Sequence, residues 1–179
     1  MTKKRVSRRK LLKAGAAVGL TAMYYKRIAH AARPVIKAGL VGCGGRGTGA
    51  AHNLLEAASK TGIDVRLWAL ADVYRSHAER AANSLKKRAG FEVGNRIFDD
   101  FDGYKKLIDS GVDLVLLATP PGFRPEHFEA VVEAGKHCFT EKPVATFAET
   151  CRRFMRAGEE SVRKGLTVVA GTQRRHQRP

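Results

Sequence analysis

Glycines dominate one short segment, and their spacing is suited to binding phosphate. Six consecutive residues match the pattern G-x-G-x-x-G: Gly42-Cys43-Gly44-Gly45-Arg46-Gly47. In this pattern the first glycine permits a tight turn, the second lets the backbone approach a pyrophosphate, and the third lets a helix pack closely on a strand. The N–H groups and positive dipole end of a helix that begins there attract phosphate oxygens. The segment therefore predicts a dinucleotide site that includes Gly42, Gly44, Gly45, Arg46 and Gly47.

An acidic residue supports this interpretation. Asp72 lies 25 residues after Gly47 and ends a second apolar run. A carboxylate there can accept hydrogen bonds from the ribose hydroxyls of adenosine. Asp72 can also cap a helix that starts near Tyr74, and the two roles can coexist. The carboxylate favours NAD because it would repel a 2′-phosphate, whereas the nearby Arg75 could bind that phosphate and keeps NADP open.

Apolar runs and helical patterns alternate from Pro34 onward, which predicts a parallel sheet with helices on both faces. The runs predict about six strands, at Val35–Gly42, Val65–Asp72, Arg96–Phe98, Asp113–Ala118, His137–Thr140 and Leu166–Ala170. The helical patterns cover Arg46–Lys60, Tyr74–Ala89, Tyr104–Ser110, Glu126–Ala134 and Ala148–Lys164. We therefore expect residues 34–179 to form a doubly wound α/β (Rossmann) domain with strand order 3-2-1-4-5-6.

The formal net charge of +16 is concentrated at the two ends of the chain. Residues 1–33 contain ten Lys or Arg and no acidic residue, whereas residues 34–151 contain fifteen residues of each sign. A nucleic-acid-binding domain normally presents a basic face on its folded body. This distribution therefore argues against a nucleic-acid partner.

The three cysteines, Cys43, Cys138 and Cys151, do not suggest a metal site or a disulfide framework. Their number is odd, and no C-x-x-C pattern occurs. We expect small buried or half-buried side chains at these positions and no bound metal.

The first 33 residues follow the order of an export signal. Basic residues lead into Ser7-Arg8-Arg9-Lys10-Leu11-Leu12-Lys13, then into the apolar run Ala14–Met23 and small residues near Ala29. The segment resembles a twin-arginine signal, although that signal more often has Phe where Leu11 stands. The apolar run is about ten residues long, too short for a bilayer span. We expect the twin-arginine export machinery to recognise residues 1–33 and the protein to be periplasmic. The alternative is that these residues are only a basic tail.

Further polar motifs follow the later strands. The fourth strand ends in Ala118-Thr119-Pro120-Pro121, the next helix contains His127, and the fifth strand leads into Glu141-Lys142-Pro143. Together with the glycine motif and Asp72, this order resembles the glucose–fructose oxidoreductase and inositol dehydrogenase family (Gfo/Idh/MocA). The E-K-P tripeptide is the most characteristic mark, and the resemblance extends from about Val35 to the end of the chain.

The resemblance implies an NAD(P)-dependent oxidoreductase that acts on a carbohydrate or polyol. It places Thr119 and Pro120 near the pyrophosphate and the nicotinamide ribose. It places Glu141 and Lys142 beside the nicotinamide as the catalytic pair, with Pro143 in a turn prone to the cis form. Lys142 would contact both the cofactor and the substrate hydroxyl.

The same resemblance points to three further candidates for binding the cofactor. Gln173 and Arg174, just past the sixth strand, match a polar segment that reaches the active site in relatives. His127 either contacts the cofactor or only packs in its helix. The position of Gln173 after a strand agrees with the rule that ligands bind at the carboxyl ends of the strands in doubly wound sheets.

Family members also carry a second α/β domain, which supplies the substrate pocket and much of a homo-oligomer interface. These 179 residues do not contain it. We therefore expect a fragment or a truncated gene product that binds the nucleotide without turnover. Two alternatives to hydride transfer remain, an NAD-dependent, redox-assisted glycoside hydrolase and a non-catalytic nucleotide-binding module.

Overall fold

A computed structural model describes residues 34–175 of the chain. The signal predicted for residues 1–33 lies outside the described residues. Within the described range, no helix has both the length and the apolar character that a membrane span requires.

Strands and helices alternate along residues 34–175. The strands are β1 Ile36–Val41, β2 Val65–Ala71, β3 Ile97–Phe98, β4 Leu114–Leu117, β5 His137–Glu141 and β6 Val168–Gly171. The α-helices are α1 Gly45–Thr61, α2 Arg75–Leu85, α3 Gly103–Asp109, α4 Arg124–Glu133 and α5 Ala148–Arg163. A short 3₁₀ helix, Gln173–Arg175, follows the last strand.

The sheet confirms the predicted fold class and strand order. Its six strands are arranged β3-β2-β1-β4-β5-β6, and every neighbouring pair is parallel. The chain order therefore reverses between β1 and β4. In such sheets a crevice opens outside the carboxyl ends of the strands at this reversal.

Both faces of the central strands β1 and β4 are largely buried, which explains why these strands are mostly apolar in sequence. On β4, Val115 and Leu117 pack in the core that includes Phe128 of α4. The intervening Leu116 packs in the other core with Leu55 of α1. This alternation follows from the two-residue period of a strand.

The second helix ends earlier than the sequence pattern predicts. The prediction ran to Ala89, but α2 ends at Leu85. The following residues turn back to the edge of β2, where the Leu67 N–H donates to the Gly90 carbonyl at 2.7 Å. Satisfying this edge outweighs the helix propensity of the basic residues, because an unpaired backbone group at the edge of the core is costly.

Two smaller differences matter for the site. Strand β5 includes Glu141, which lies beside Gly171 in β6, so the strand runs one residue further than predicted. Helix α4 begins at Arg124 rather than Glu126. Pro125 is in its first turn, where proline fits because that N–H has no partner within the helix.

Gly90 provides a test of this edge contact. Its φ is +87°, and a Cβ atom would lie 2.5 Å from the Val65 carbonyl oxygen. We expect Gly90→Ala to lower the free energy of unfolding by about 1–3 kcal/mol, measured by urea unfolding. The control is Gly158→Ala inside α5, where a Cβ meets open space. This substitution should raise stability by about 0.5–1 kcal/mol. Equal effects of the two substitutions would contradict the conclusion that the contact at the edge of β2 requires glycine at position 90.

Candidate functional site

A cleft of about 840 Å³ lies at the carboxyl ends of the strands. Ten of the thirteen residues predicted to bind cofactor line it: Gly42, Gly44, Arg46, Asp72, Thr119, Pro120, His127, Glu141, Lys142 and Gln173. The other three, Gly45, Gly47 and Arg174, are not among its lining residues. The volume is in the usual range for a small-molecule or cofactor site.

The glycine motif has the geometry of a phosphate-binding loop. Gly42 has φ +91°, and a Cβ there would lie 2.7 Å from the Thr119 backbone nitrogen. A Cβ on Gly47 would lie 1.9 Å from the Gly42 carbonyl oxygen, so α1 packs directly on the turn. Gly44 and Gly45 instead have open space beside them. Because the first N–H groups of a helix lack partners within it, the start of α1 can donate to an anion.

Asp72 connects the glycine loop to the turn after β2. Its Oδ2 accepts the Cys43 N–H at 2.7 Å, and its Oδ1 accepts the Tyr74 N–H at 2.9 Å. Since α2 begins only at Arg75, the second bond stabilises the turn before the helix. Each carboxylate oxygen can accept more than one hydrogen bond, so Asp72 retains capacity for ribose hydroxyls.

Arg75 does not line the cleft. Its Nε donates to Glu79 Oε1 at 2.9 Å, and its Nη1 lies 3.4 Å from Asp99 Oδ2. The guanidinium thus has two carboxylate partners on the protein surface. The structure gives no support to the expectation that Arg75 binds a 2′-phosphate.

Glu141 and Arg46 form an ion pair across the cleft floor. Arg46 Nε donates to Glu141 Oε1 at 2.7 Å, and Arg46 Nη2 lies 2.5 Å from the same oxygen. The Glu141 side chain is 2% exposed and that of Arg46 is 49% exposed. Gly171 leaves room for the carboxylate, because a Cβ there would lie 3.0 Å from its atoms. Glu141 is therefore a buried, paired group rather than part of a solvated loop.

Lys142 is exposed in the cleft, unlike the neighbouring Glu141. The Lys142–Pro143 peptide bond is cis. Arg124, which the sequence analysis missed, donates from Nη1 to the carbonyl oxygens of Glu141, at 2.8 Å, and of Pro143. It is 5% exposed, and this burial lowers the pKa of Arg124 while Glu141 partly opposes the shift. The clue in the sequence was a charged residue directly before Pro125, since proline is typical of the first turn of a helix.

His127 has a packing role and also lines the cleft. Its Nδ1 is 3.2 Å from Thr119 Oγ1, and its ring centroid is 4.1 Å from that of Tyr104 and 6.2 Å from that of Phe123. Burial lowers the pKa of His127 to about 4, and the charge of Glu126 opposes this only partly. The imidazole is therefore neutral near pH 7.

The structure adds residues at one end of the cleft that the sequence analysis did not single out. They follow β2 and β3 or lie in the first turn of the next helix: Val73, Tyr74, His77, Asp100, Phe101 and Asp102. Tyr74 and Phe101 are exposed aromatic residues. The rule that placed Asp72 at a strand's carboxyl end would have found them, because β3 ends at Phe98.

Comparison with known proteins agrees with this geometry. The family model described as an oxidoreductase family with an NAD-binding Rossmann fold matches residues 36–170. Inositol 2-dehydrogenase of Paracoccus denitrificans is 34% identical over 141 residues, and a glycosyl hydrolase family 109 protein of Streptomyces coelicolor is 32% identical over 123 residues. Scyllo-inositol dehydrogenase of Lactobacillus casei, solved with NAD(H) and scyllo-inositol, superposes with a TM-score of 0.64 at 25% identity.

These matches cover most of this chain but only part of each relative. They cover 79% and 66% of this chain against the two sequences, and 80% against the solved structure. The same matches span 38%, 24% and 38% of the relatives' own lengths. Because the family model matches well over half of the chain, the protein belongs to the Gfo/Idh/MocA oxidoreductase family and contains its NAD-binding Rossmann fold.

Proposed function

We propose that this chain is the nucleotide-binding part of an exported oxidoreductase that transfers a hydride between NAD and a carbohydrate or polyol. The observation that carries the proposal is a single cleft lined by the glycine loop, Asp72 and Lys142. Inositol dehydrogenases among the relatives support a polyol substrate. The homo-oligomer expected from the family resemblance stays a prediction.

Each part of NAD has a matching part of the cleft. The start of α1 at Gly45 would hold the pyrophosphate, and Asp72 would accept the hydroxyls of the adenosine ribose. Thr119 and Pro120 would lie along the nicotinamide ribose, which puts the reactive ring near Lys142. When bound, the cofactor accepts or supplies the hydride, and the protein positions it.

Lys142 is the group best placed to handle the substrate proton. As a neutral amine it can accept the carbinol proton while the hydride leaves in oxidation, and as an ammonium it can return that proton to the alkoxide oxygen in reduction. For Glu141 we propose a positioning role in place of the predicted catalytic one. The contacts that support it are the ion pair of its carboxylate with Arg46 and the hydrogen bond that the carboxylate accepts from the Lys142 backbone N–H at 3.3 Å.

A second candidate is redox-assisted glycoside hydrolysis, favoured by the relative of glycosyl hydrolase family 109. Both reactions would use the same cleft and Lys142. They differ in the fate of the cofactor, which is reduced stoichiometrically in the first reaction and regenerated within each turnover in the second. Accumulation of NADH with an inositol, in a protein that includes the second domain, would favour the dehydrogenase.

Asp72 provides the first test of nucleotide binding. We expect the 179-residue chain to bind NADH, and Asp72→Asn to weaken binding by about tenfold or more, since a hydrogen bond to a charged group contributes about 1.5–3 kcal/mol. The measurement is a titration of nicotinamide fluorescence. Asp109→Asn is the matched control, because Asp109 is an exposed carboxylate that does not line the cleft. Equal affinities of the two variants would contradict the role of Asp72.

The Arg46–Glu141 pair provides a second test. We expect Arg46→Gln and Glu141→Gln each to destabilise the fold, and the double variant to show a coupling energy of about 1 kcal/mol in a double-mutant cycle. Urea unfolding measures all four proteins. The control cycle uses the exposed pair of Lys60 and Glu56, where we expect coupling of about 0.5 kcal/mol or less. Additive effects at Arg46 and Glu141 would show that the ion pair does not contribute to the fold.

Export through residues 1–33 is part of the proposal and has its own test. We expect the protein to reach the periplasm of a host with an active twin-arginine pathway, since that route carries folded proteins with a bound cofactor. Replacing both Arg8 and Arg9 by Lys should retain it in the cytoplasm, as measured by cell fractionation. Replacing Lys3 and Lys4 by Arg is the control and should leave export intact. Retention of both variants alike would contradict a twin-arginine signal.

A further inference from the structure

We propose that His77 makes the choice of this cleft between NADH and NADPH depend on pH. The inference rests on the proposed function, because it takes the adenosine ribose to lie at Asp72. It goes beyond that function by assigning recognition of the 2′ position to a residue outside the family motifs found in the sequence.

His77 lies in the first turn of α2, beside the ribose-binding carboxylate. Its Nδ1 is 3.4 Å from Asp72 Oδ1, and its ring centroid is 5.1 Å from that of Tyr74. The side chain is 37% exposed and lines the cleft. A group bound at Asp72 would therefore meet the imidazole, and solvent protons can reach it.

Arg75, a basic residue near this end, does not compete for the role. Arg75 bonds to Glu79 and Asp99 and does not line the cleft. Among the described residues, the other basic side chains that line the cleft lie on the elements that follow β1, β4 and β5: Arg46, Arg124, His127 and Lys142. At the adenosine end, His77 is thus the side chain that can present a positive charge to the ligand.

The charged groups that line the cleft beside His77 are acidic, and the basic Arg80 lies about one turn further along the same helix. Asp72 and Tyr74 approach it from the turn after β2, and Asp100 and Asp102 line the same end from the loop after β3. The latter two are paired with Lys106 and Lys105, so Asp72 is the carboxylate in closest contact with the imidazole. On its own helix, Glu79 is paired with Arg75.

The protonation state of the imidazole then decides which ligand is tolerated. With neutral His77, the imidazole does not offset the negative charge of Asp72. The carboxylate then repels a 2′-phosphate, whereas it accepts hydrogen bonds from ribose hydroxyls. With protonated His77, the Asp72 charge is offset, and the ring can donate an N–H to the phosphate. Histidine is the side chain that ordinarily changes charge between about pH 5 and 8.

The phosphate titrates in the same range, so the test needs a variant that lacks only the imidazole. A 2′-phosphate takes up its own proton with a pKa of about 6. One additional linked proton changes a ratio of dissociation constants by at most about tenfold per pH unit. The contribution of His77 is therefore the difference in pH dependence between the original chain and His77→Asn.

The experiment measures dissociation constants of NADH and NADPH by nicotinamide fluorescence at about pH 6 and about pH 8. It uses the 179-residue chain, His77→Asn, His77→Lys and Arg75→Gln. From the higher to the lower pH, we expect the preference for NADH in the original chain to fall by about fivefold to tenfold more than in His77→Asn. His77→Lys should accept NADPH at both pH values, and Arg75→Gln should behave like the original chain.

Each other outcome overturns the inference in a distinguishable way. Equal pH dependence in the original chain and His77→Asn, with NADH still bound, would assign the effect to the phosphate and leave the proposed function intact. Loss of the pH dependence in Arg75→Gln alone would assign the 2′ position to Arg75. Failure of the original chain to bind either dinucleotide would overturn the proposed function together with this inference. The NADH affinity of each variant reports whether its cleft is formed.

Discussion

Glu141 places a carboxylate at the end of a parallel strand with almost no exposure to water, and Arg46 supplies the positive charge that offsets this burial. An unpaired buried carboxylate would be strongly unfavourable, so the two groups must meet when the domain folds. Arg46 lies in the first turn of the helix after β1, whereas Glu141 ends β5, two strands away in the sheet. The pair can therefore form only when β1, β4 and β5 are in register, and it connects the phosphate-binding loop to the segment that carries Lys142.

Arg124 holds the same segment through its backbone carbonyls. One guanidinium nitrogen donates to the carbonyls of Glu141 and Pro143, which flank Lys142 in the chain. Its Nε is buried without a hydrogen-bond partner in the described part of the chain, so this arrangement carries a desolvation cost. The result is a lysine whose backbone is held on both sides while its side chain remains exposed to the cleft. A reactive group on a rigid support is what a precise site requires.

The sequence predicted the features that depend on local pattern. The glycine spacing predicted the turn before α1, and the alternation of apolar runs with helical patterns predicted a doubly wound sheet, because both are local patterns. The strand order then followed from the usual topology of such sheets, and it is the one observed. The end of α2 at Leu85 was missed because its cause is a hydrogen bond to the edge of β2, which is distant in sequence. Arg124 was missed for a similar reason, since its partners lie 17 and 19 residues away. Arg75 is close to Asp72 in sequence, but sequence proximity did not reveal its ion pairs with Glu79 and Asp99, which keep it out of the cleft.

Charge along the cleft also fixes the direction in which a dinucleotide would lie. A pyrophosphate flanked by two nucleosides has nearly symmetric ends, so the phosphate site at α1 does not by itself distinguish them. In the proposed complex the distinction comes from the flanking groups: Asp72 accepts hydroxyls at one end, whereas Lys142 is a cationic donor at the other. The exposed rings of Tyr74 and Phe101 occur at the Asp72 end, where a planar base can stack. The reverse orientation would place the adenine beside Lys142 and move the nicotinamide to the other end of the cleft, so only the first orientation brings the reactive ring to Lys142.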